Sequence, residues 1–171
     1  MIVETVLLLL TAIAAATDLW RHKIYNWTTY PGILAGIALN AGLDGWEGLT
    51  ESLAGFALCG FIMLVCFVLF QLGGGDVKLM AMTGALLGPH RGIEVLLWTF
   101  TLGAIAGVAL LIWRVGFVKL VRAVLQQLGY SLRLGTWLPL TEEERRQLQP
   151  PLYLGPAALL AAMIVVFRWI A

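Results

Sequence analysis

Apolar residues run through this chain in six blocks, each bounded by a short polar or glycine-rich break. They cover about 2–18, 27–43, 49–72, 77–88, 93–113 and 152–170. A helix that crosses a bilayer needs roughly 17–25 predominantly apolar residues, and five of the blocks reach that length. The fourth is short, and as a helix of about 12 residues it would extend only about 18 Å. It must start inside the bilayer, tilt beside thinned lipid, or recruit part of the Gly73-Gly74-Gly75 run that precedes it. Gly88-Pro89-His90-Arg91-Gly92 reads as a turn between the fourth and fifth blocks. The pattern predicts an all-α integral membrane protein of about six transmembrane segments, with residues 1–171 as one membrane-embedded domain.

The longest polar stretch, 114–151, carries a second pattern. Phe117, Leu120, Val121, Val124, Leu125 and Leu128 recur at helical spacing, with Lys119, Arg122, Gln126 and Gln127 on the other face. That suits an amphipathic helix lying in the membrane interface, or a solvated tether between the last two spans. Thr141-Glu142-Glu143-Glu144 has the form of a capping box for a second short helix, which Pro150-Pro151 would stop.

Composition agrees with the blocks. Of the 171 residues, 60% are hydrophobic and 12% charged, about half the charged fraction of a soluble domain. Net charge is +1, with no basic run interleaved with aromatics, so nothing points to nucleic acid. Block one ends in Ala14-Ala15-Ala16 like a signal peptide, but no basic residue precedes it and Arg21 and Lys23 follow it. It reads as a retained span. Cys59 and Cys66 lie seven residues apart within one block and read as apolar packers rather than ligands or a disulfide. Gly32 with Gly36, and Gly103 with Gly107, are small-xxx-small pairs suited either to internal helix packing or to docking a substrate helix.

Charge also sets orientation, because lysine and arginine favour the cytoplasmic side. With the amino terminus outside, Arg21, Lys23, Lys78, Arg114, Lys119, Arg122, Arg133, Arg145 and Arg146 fall inside, and only Arg91 and Arg168 outside. Asp18 and Asp76 then share the inner leaflet. Charge beside hydrocarbon is costly, which makes these two aspartates the candidate chemistry. Glycines at 73, 74 and 75 would let the chain turn with positive φ and approach another backbone closely.

Two carboxylates held close cannot both ionise freely. One can then take a proton from water as it attacks a carbonyl, while the other donates to the carbonyl oxygen. Each aspartate has a plainer reading as well: Asp18 as partner of Arg21, His22 or Lys23, and Asp76 as partner of Lys78. The residues alone leave open a catalytic dyad and an ion-coupling pair of a small proton- or ion-coupled transporter. The transporter would need an ionisable path to the outer leaflet, where only Glu4, Asn40 and Glu94 offer themselves.

Gly73-Gly74-Gly75-Asp76-Val77-Lys78 resembles the GxGD-x-K signature of the type IV prepilin peptidases, a family of membrane aspartyl proteases. Asp18 through Ile24-Tyr25-Asn26 resembles the family's D-x5-I-P-N pattern, with Tyr25 in place of proline. Leu154-Gly155-Pro156-Ala157 resembles its F-G-P segment, with Leu154 for the phenylalanine. The resemblance implies a GxGD-protease-like helical bundle in which Asp18 and Asp76 are catalytic. Gly73, Gly74 and Gly75 would bring Asp76 near Asp18 and offer extended backbone to the substrate. Lys78 would tune Asp76 or anchor a helix end at the interface, and Asn26 would bond loop backbone near Asp18. It implies a prepilin or pseudopilin substrate cut at the cytoplasmic face of a prokaryotic inner membrane, with no cofactor and no metal. Long members carry an amino-terminal zinc-binding cysteine portion associated with N-methylation. With 17 residues before Asp18 and no CxxC pair, the expectation is the short, peptidase-only form of the tight-adherence (Flp) pilus type, without methyltransferase activity.

Overall fold

The computed structural model describes residues 1–70, 73–116 and 154–170. The described residues are helical apart from short connections, and no strand occurs among them. We name the helices α1 (Ile2–Arg21), α2 (Asn26–Phe70), α3 (Gly74–Val115) and α4 (Leu154–Ile170). α1, α2 and α3 are each long and apolar enough to cross a membrane. The interfacial helix expected within 117–151 and the capping box at Thr141 lie outside the described residues. Residues 1–102 and 154–170 belong to one compact unit, and 103–116 fall in a second.

Glycine divides the two long helices. Gly45 has φ 62° and ψ −134°, and Gly88 has φ 75° and ψ −179°. A side chain would clash with its own backbone in these regions, so glycine is the residue that permits the break. The chain doubles back at both points. Gly48 lies against the Asn40 carbonyl, and Gly92 approaches Gly84 so closely that a Cβ on it would stand 3.0 Å from the Gly84 Cα. Among the described residues, α2, and α3 as far as residue 102, each therefore fold back as a pair of arms, which with α1 and α4 makes six helical stretches. The turn expected at 88–92 is found, and the short fourth block does recruit glycines, starting at Gly74.

The break at Gly88 frees a carbonyl. In a continuous helix the Ala85 oxygen would accept from residue 89, but Pro89 has no N–H. Ser52 Oγ donates to it at 2.6 Å and Asn40 Nδ2 at 3.0 Å, and Asn40 also reaches the Leu86 carbonyl at 3.1 Å. Side chains from both arms of α2 thus satisfy backbone that hydrocarbon could not. The same interface brings Gly55 and Gly84 backbone to backbone, and Cys59 is buried beside Gly84 and Gly92. Gly32 sits on Met82 and Leu10, and Gly36 on Ala85 and Leu86. That pair serves internal packing.

α1 buries Leu7, Thr11, Ala14, Ala15 and Asp18, one stripe at helical spacing. α4 presents a matching stripe of small residues, Ala157, Ala158, Ala161 and Ala162, and the two helices pack together. At the end of the unit where α1 begins, Glu4 accepts from Arg91 at 2.9 Å and from the terminal amine at 3.0 Å. Glu94 pairs with Arg168 at 2.8 Å. Arg91 and Arg168 are the two cations that the charge count placed apart from the rest, and each is tied to a carboxylate. Asp18 lies about 21 Å along α1 from Glu4, by the helical rise.

Candidate active site

Asp18 is one turn inside the end of α1 rather than at it. Leu19, Trp20 and Arg21 continue the helix, and His22 closes it in the left-handed region (φ 53°), its N–H donating to the Asp18 carbonyl at 2.9 Å. Residues 23–25 then turn the chain, and the Tyr25 carbonyl accepts from the Thr28 N–H at 3.2 Å to start α2. Asp18 is 8% exposed. Its Oδ2 accepts the backbone N–H of Gly155 at 2.9 Å. Gly155 lies in the first turn of α4, where an N–H has no partner within the helix, and Asp18 supplies one. Only glycine fits there, because a Cβ would stand 2.9 Å from both Cβ and Oδ2 of Asp18.

Asp76 is in the first turn of α3, with its N–H bonded to the Gly73 carbonyl at 3.0 Å. Its carboxylate folds back over Gly73, with Oδ2 2.8 Å from where a Gly73 Cβ would be. Gly75 rests against the turn after α1, and a side chain there would meet the Ile24 Cβ at 2.9 Å. The glycine run differs in form from the expectation. None of Gly73, Gly74 and Gly75 has positive φ, and Gly74 and Gly75 are helical rather than extended. The value of glycine at 75 is room: the first turn of α3 can close on the 22–25 turn only where no Cβ intervenes, while at 73 the missing Cβ leaves space for the Asp76 carboxylate. Gly74 is the least confined, its nearest neighbour being Phe67 at 4.0 Å.

These elements enclose one open cavity of about 370 Å³. Asp18 and His22 line it from α1 and its cap, and Asp76 with the three glycines lines it from α3. Lys23, Ile24, Tyr25 and Asn26 complete it. Six of the seven residues singled out in the sequence therefore meet at one place. The seventh, Lys78, stands beside it. Its Nζ donates to Asn26 Oδ1 at 2.8 Å and lies 5.2 Å from the centre of the Tyr30 ring. Asn26 is thus engaged by Lys78, which ties the start of α2 to α3 across the cavity's flank. Gly155 escaped the sequence reading as a site residue. Its place in a Gly-Pro pair opening a span was the available signal, but only the fold shows that its N–H points at Asp18.

Two carboxylates facing one water-accessible cavity can take and give a proton on opposite sides of a bound carbonyl. Among the described residues there is no group of three or more His, Cys, Asp or Glu side chains placed to hold a metal ion.

A sequence model of the type IV leader peptidase family matches residues 5–108, which include both aspartates, the turn after α1 and the glycine run. The chain belongs to that family. A prepilin leader peptidase/N-methyltransferase of Myxococcus xanthus (strain DK1622) is 38% identical over 90 residues, covering 49% of this chain and 27% of that relative. The chain therefore spans little more than a quarter of the curated relative's length. No solved structure was found to match it. Family membership and the long apolar helices together make this leader peptidase family member a multi-pass membrane protein.

Proposed function

We propose that the protein is a membrane aspartyl endopeptidase that removes the short basic leader of prepilin-like substrates at the cytoplasmic face. The observation that carries this reading is the meeting of Asp18 and Asp76 on one cavity, in a chain of the leader peptidase family. One carboxylate takes a proton from water as the water oxygen bonds to the scissile carbonyl carbon. The other gives its proton to the carbonyl oxygen. Collapse of the resulting diol breaks the C–N bond, and the amine leaves with a proton from the pair. The Gly155 N–H holds Asp18 in one orientation, and Gly75 lets the first turn of α3, with Asp76, pack on the turn after α1. Lys78 and Asn26 shape the flank.

In this reading six spans cross the inner membrane of a prokaryote, with the amino terminus outside and the cavity at the cytoplasmic end. The chemistry is proteolysis without N-methylation, and no metal or cofactor takes part. The transporter reading loses its outer path: Glu4 and Glu94 are held in ion pairs, and Asn40 is bonded to helix carbonyls.

The test is co-expression with a panel of prepilins and pseudopilins whose leaders differ around the cut. The parent chain should shorten at least one of them, and Asp18→Ala and Asp76→Ala should each leave it uncut while inserting normally. Wild-type-like processing by either variant would remove that aspartate from the mechanism.

A further inference from the structure

His22 is the one residue other than glycine with positive φ among the described residues. It ends α1 at φ 53° and ψ 35°. Glycine is the residue that such a helix end favours, because a Cβ is strained in the left-handed region. An imidazole stands there instead. Side chains held in rare backbone regions gather at working sites, and His22 lines the polar cavity together with Asp18 and Asp76. It follows Asp18 by about one helical turn, and its N–H is bonded to the Asp18 carbonyl at 2.9 Å. A charge on its ring acts on the Asp18 carboxylate, and the Asp18 charge acts on Asp76. Lys23 and Tyr25 face the same cavity from the turn. From α2 comes Asn26, which Lys78 engages, and from α4 the Gly155 N–H, with no titratable side chain in the first turn of that helix.

We propose that His22 is a positioning residue for the two aspartates: its left-handed cap presents the imidazole to their cavity, where the charged ring favours the pair holding one proton over the pair holding two. The proposal rests on the leader peptidase reading, since the pair with one proton is the form that hydrolysis uses. The physical cause is the attraction between a cation and a carboxylate, which favours the ionised form of the acid. Histidine is the side-chain type whose charge changes between about pH 5 and 8. As the medium turns acidic, the ring gains charge just where the carboxylates would otherwise lose theirs, and activity extends to lower pH. Glycine at 22 would serve the cap better and supply none of this.

The experiment measures kcat and KM from acid to alkaline pH for the full-length protein in phosphatidylethanolamine–phosphatidylglycerol vesicles, with a prepilin that the co-expression panel shows to be cut. His22→Gly and His22→Asn both suit a left-handed cap and should unfold no earlier than the parent. On the acidic limb they should lose about threefold or more in kcat, with KM little changed and the rate above about pH 8 unaltered. His22→Lys keeps a cation and should restore the limb. His90→Asn, at the chain's other histidine, exposed in the 88–92 turn, should leave the profile as it is. An acidic limb unmoved in His22→Gly, or one that His22→Lys fails to restore, would overturn the proposal. So would a loss uniform across pH with a lower unfolding temperature, which is what a cap alone predicts. A second arm needs no substrate. With the aspartate carboxyl carbons isotope-labelled, the Asp18 and Asp76 signals should titrate at higher pH in His22→Gly than in the parent, and that of Asp44, the chain's third aspartate, should not move. Unshifted Asp18 and Asp76 signals would overturn the proposal. If the parent cuts nothing in the panel, the peptidase reading fails, and the titration by itself decides whether His22 acts on the carboxylates.

Discussion

Gly155→Ala is the substitution that most directly tests how the site is held. The added methyl would stand 2.9 Å from the Cβ and Oδ2 of Asp18 and 3.2 Å from the Ala15 Cα. Two of those three atoms belong to the α1 backbone or are fixed to it, so the first turn of α4 must move away. That stretches or breaks the Gly155 N–H to Asp18 hydrogen bond, now 2.9 Å and buried. A hydrogen bond to a charged group contributes about 1.5–3 kcal/mol, and overpacking a close interface costs about 1–3 kcal/mol. Part of this appears as lost stability, measurable as a lower unfolding temperature in detergent. The rest appears at the carboxylate, where a displacement of about 1 Å can cost on the order of 100-fold in rate. Leader cleavage should therefore fall mainly in kcat, with KM little changed and an altered pH–rate profile. A variant with the parent's kcat and pH profile would show that Asp18 needs no support from α4.

Three further outcomes follow from contacts elsewhere. Gly75→Ala should reduce cleavage sharply, because its methyl would meet the Ile24 Cβ at 2.9 Å, whereas Gly74→Ala, with 4.0 Å of room, should be the milder change; equal losses would refute this account of the glycine run. Removing both donors to the Ala85 carbonyl, with Ser52→Ala and Asn40→Ala together, should destabilise the protein by more than the two single changes summed. An orphaned buried carbonyl costs about 1–3 kcal/mol, and thermal unfolding of the four proteins reads the difference. Lys78→Ala and Asn26→Ala should be strongly non-additive in cleavage rate if their 2.8 Å contact is what joins α2 to α3 beside the cavity; additive losses would separate them.

Much of this is legible in the sequence, for reasons that differ by element. Block lengths and the side preference of lysine and arginine put Asp18 and Asp76 at one depth, and both line one cavity in the fold. Gly88-Pro89 announces a reversal because it combines an unusual backbone freedom with a missing donor. Helix ends were harder. The pattern closes block one at Asp18, its first charge after a long apolar run, yet Leu19 and Arg21 are good helix formers and His22 can cap without glycine. The glycine run looked like a flexible turn because glycine permits positive φ, but the contact with Ile24 shows that steric room at 75 decides the matter. The Gly155 to Asp18 bond and the Lys78 to Asn26 bond were hidden for one reason. Each joins residues far apart in the chain, and local pattern carries no information about which partner a side chain finds.

The Gly155 to Asp18 contact also orders events in time. Its two residues are 137 positions apart, so during synthesis α1, α2 and α3 can enter the membrane with both aspartates present while Asp18 still lacks its donor. Asp18 acquires that partner only when α4 docks on α1. A nascent chain stalled before residue 155 therefore carries both aspartates while the Asp18 carboxylate still lacks the contact that fixes it in the finished fold.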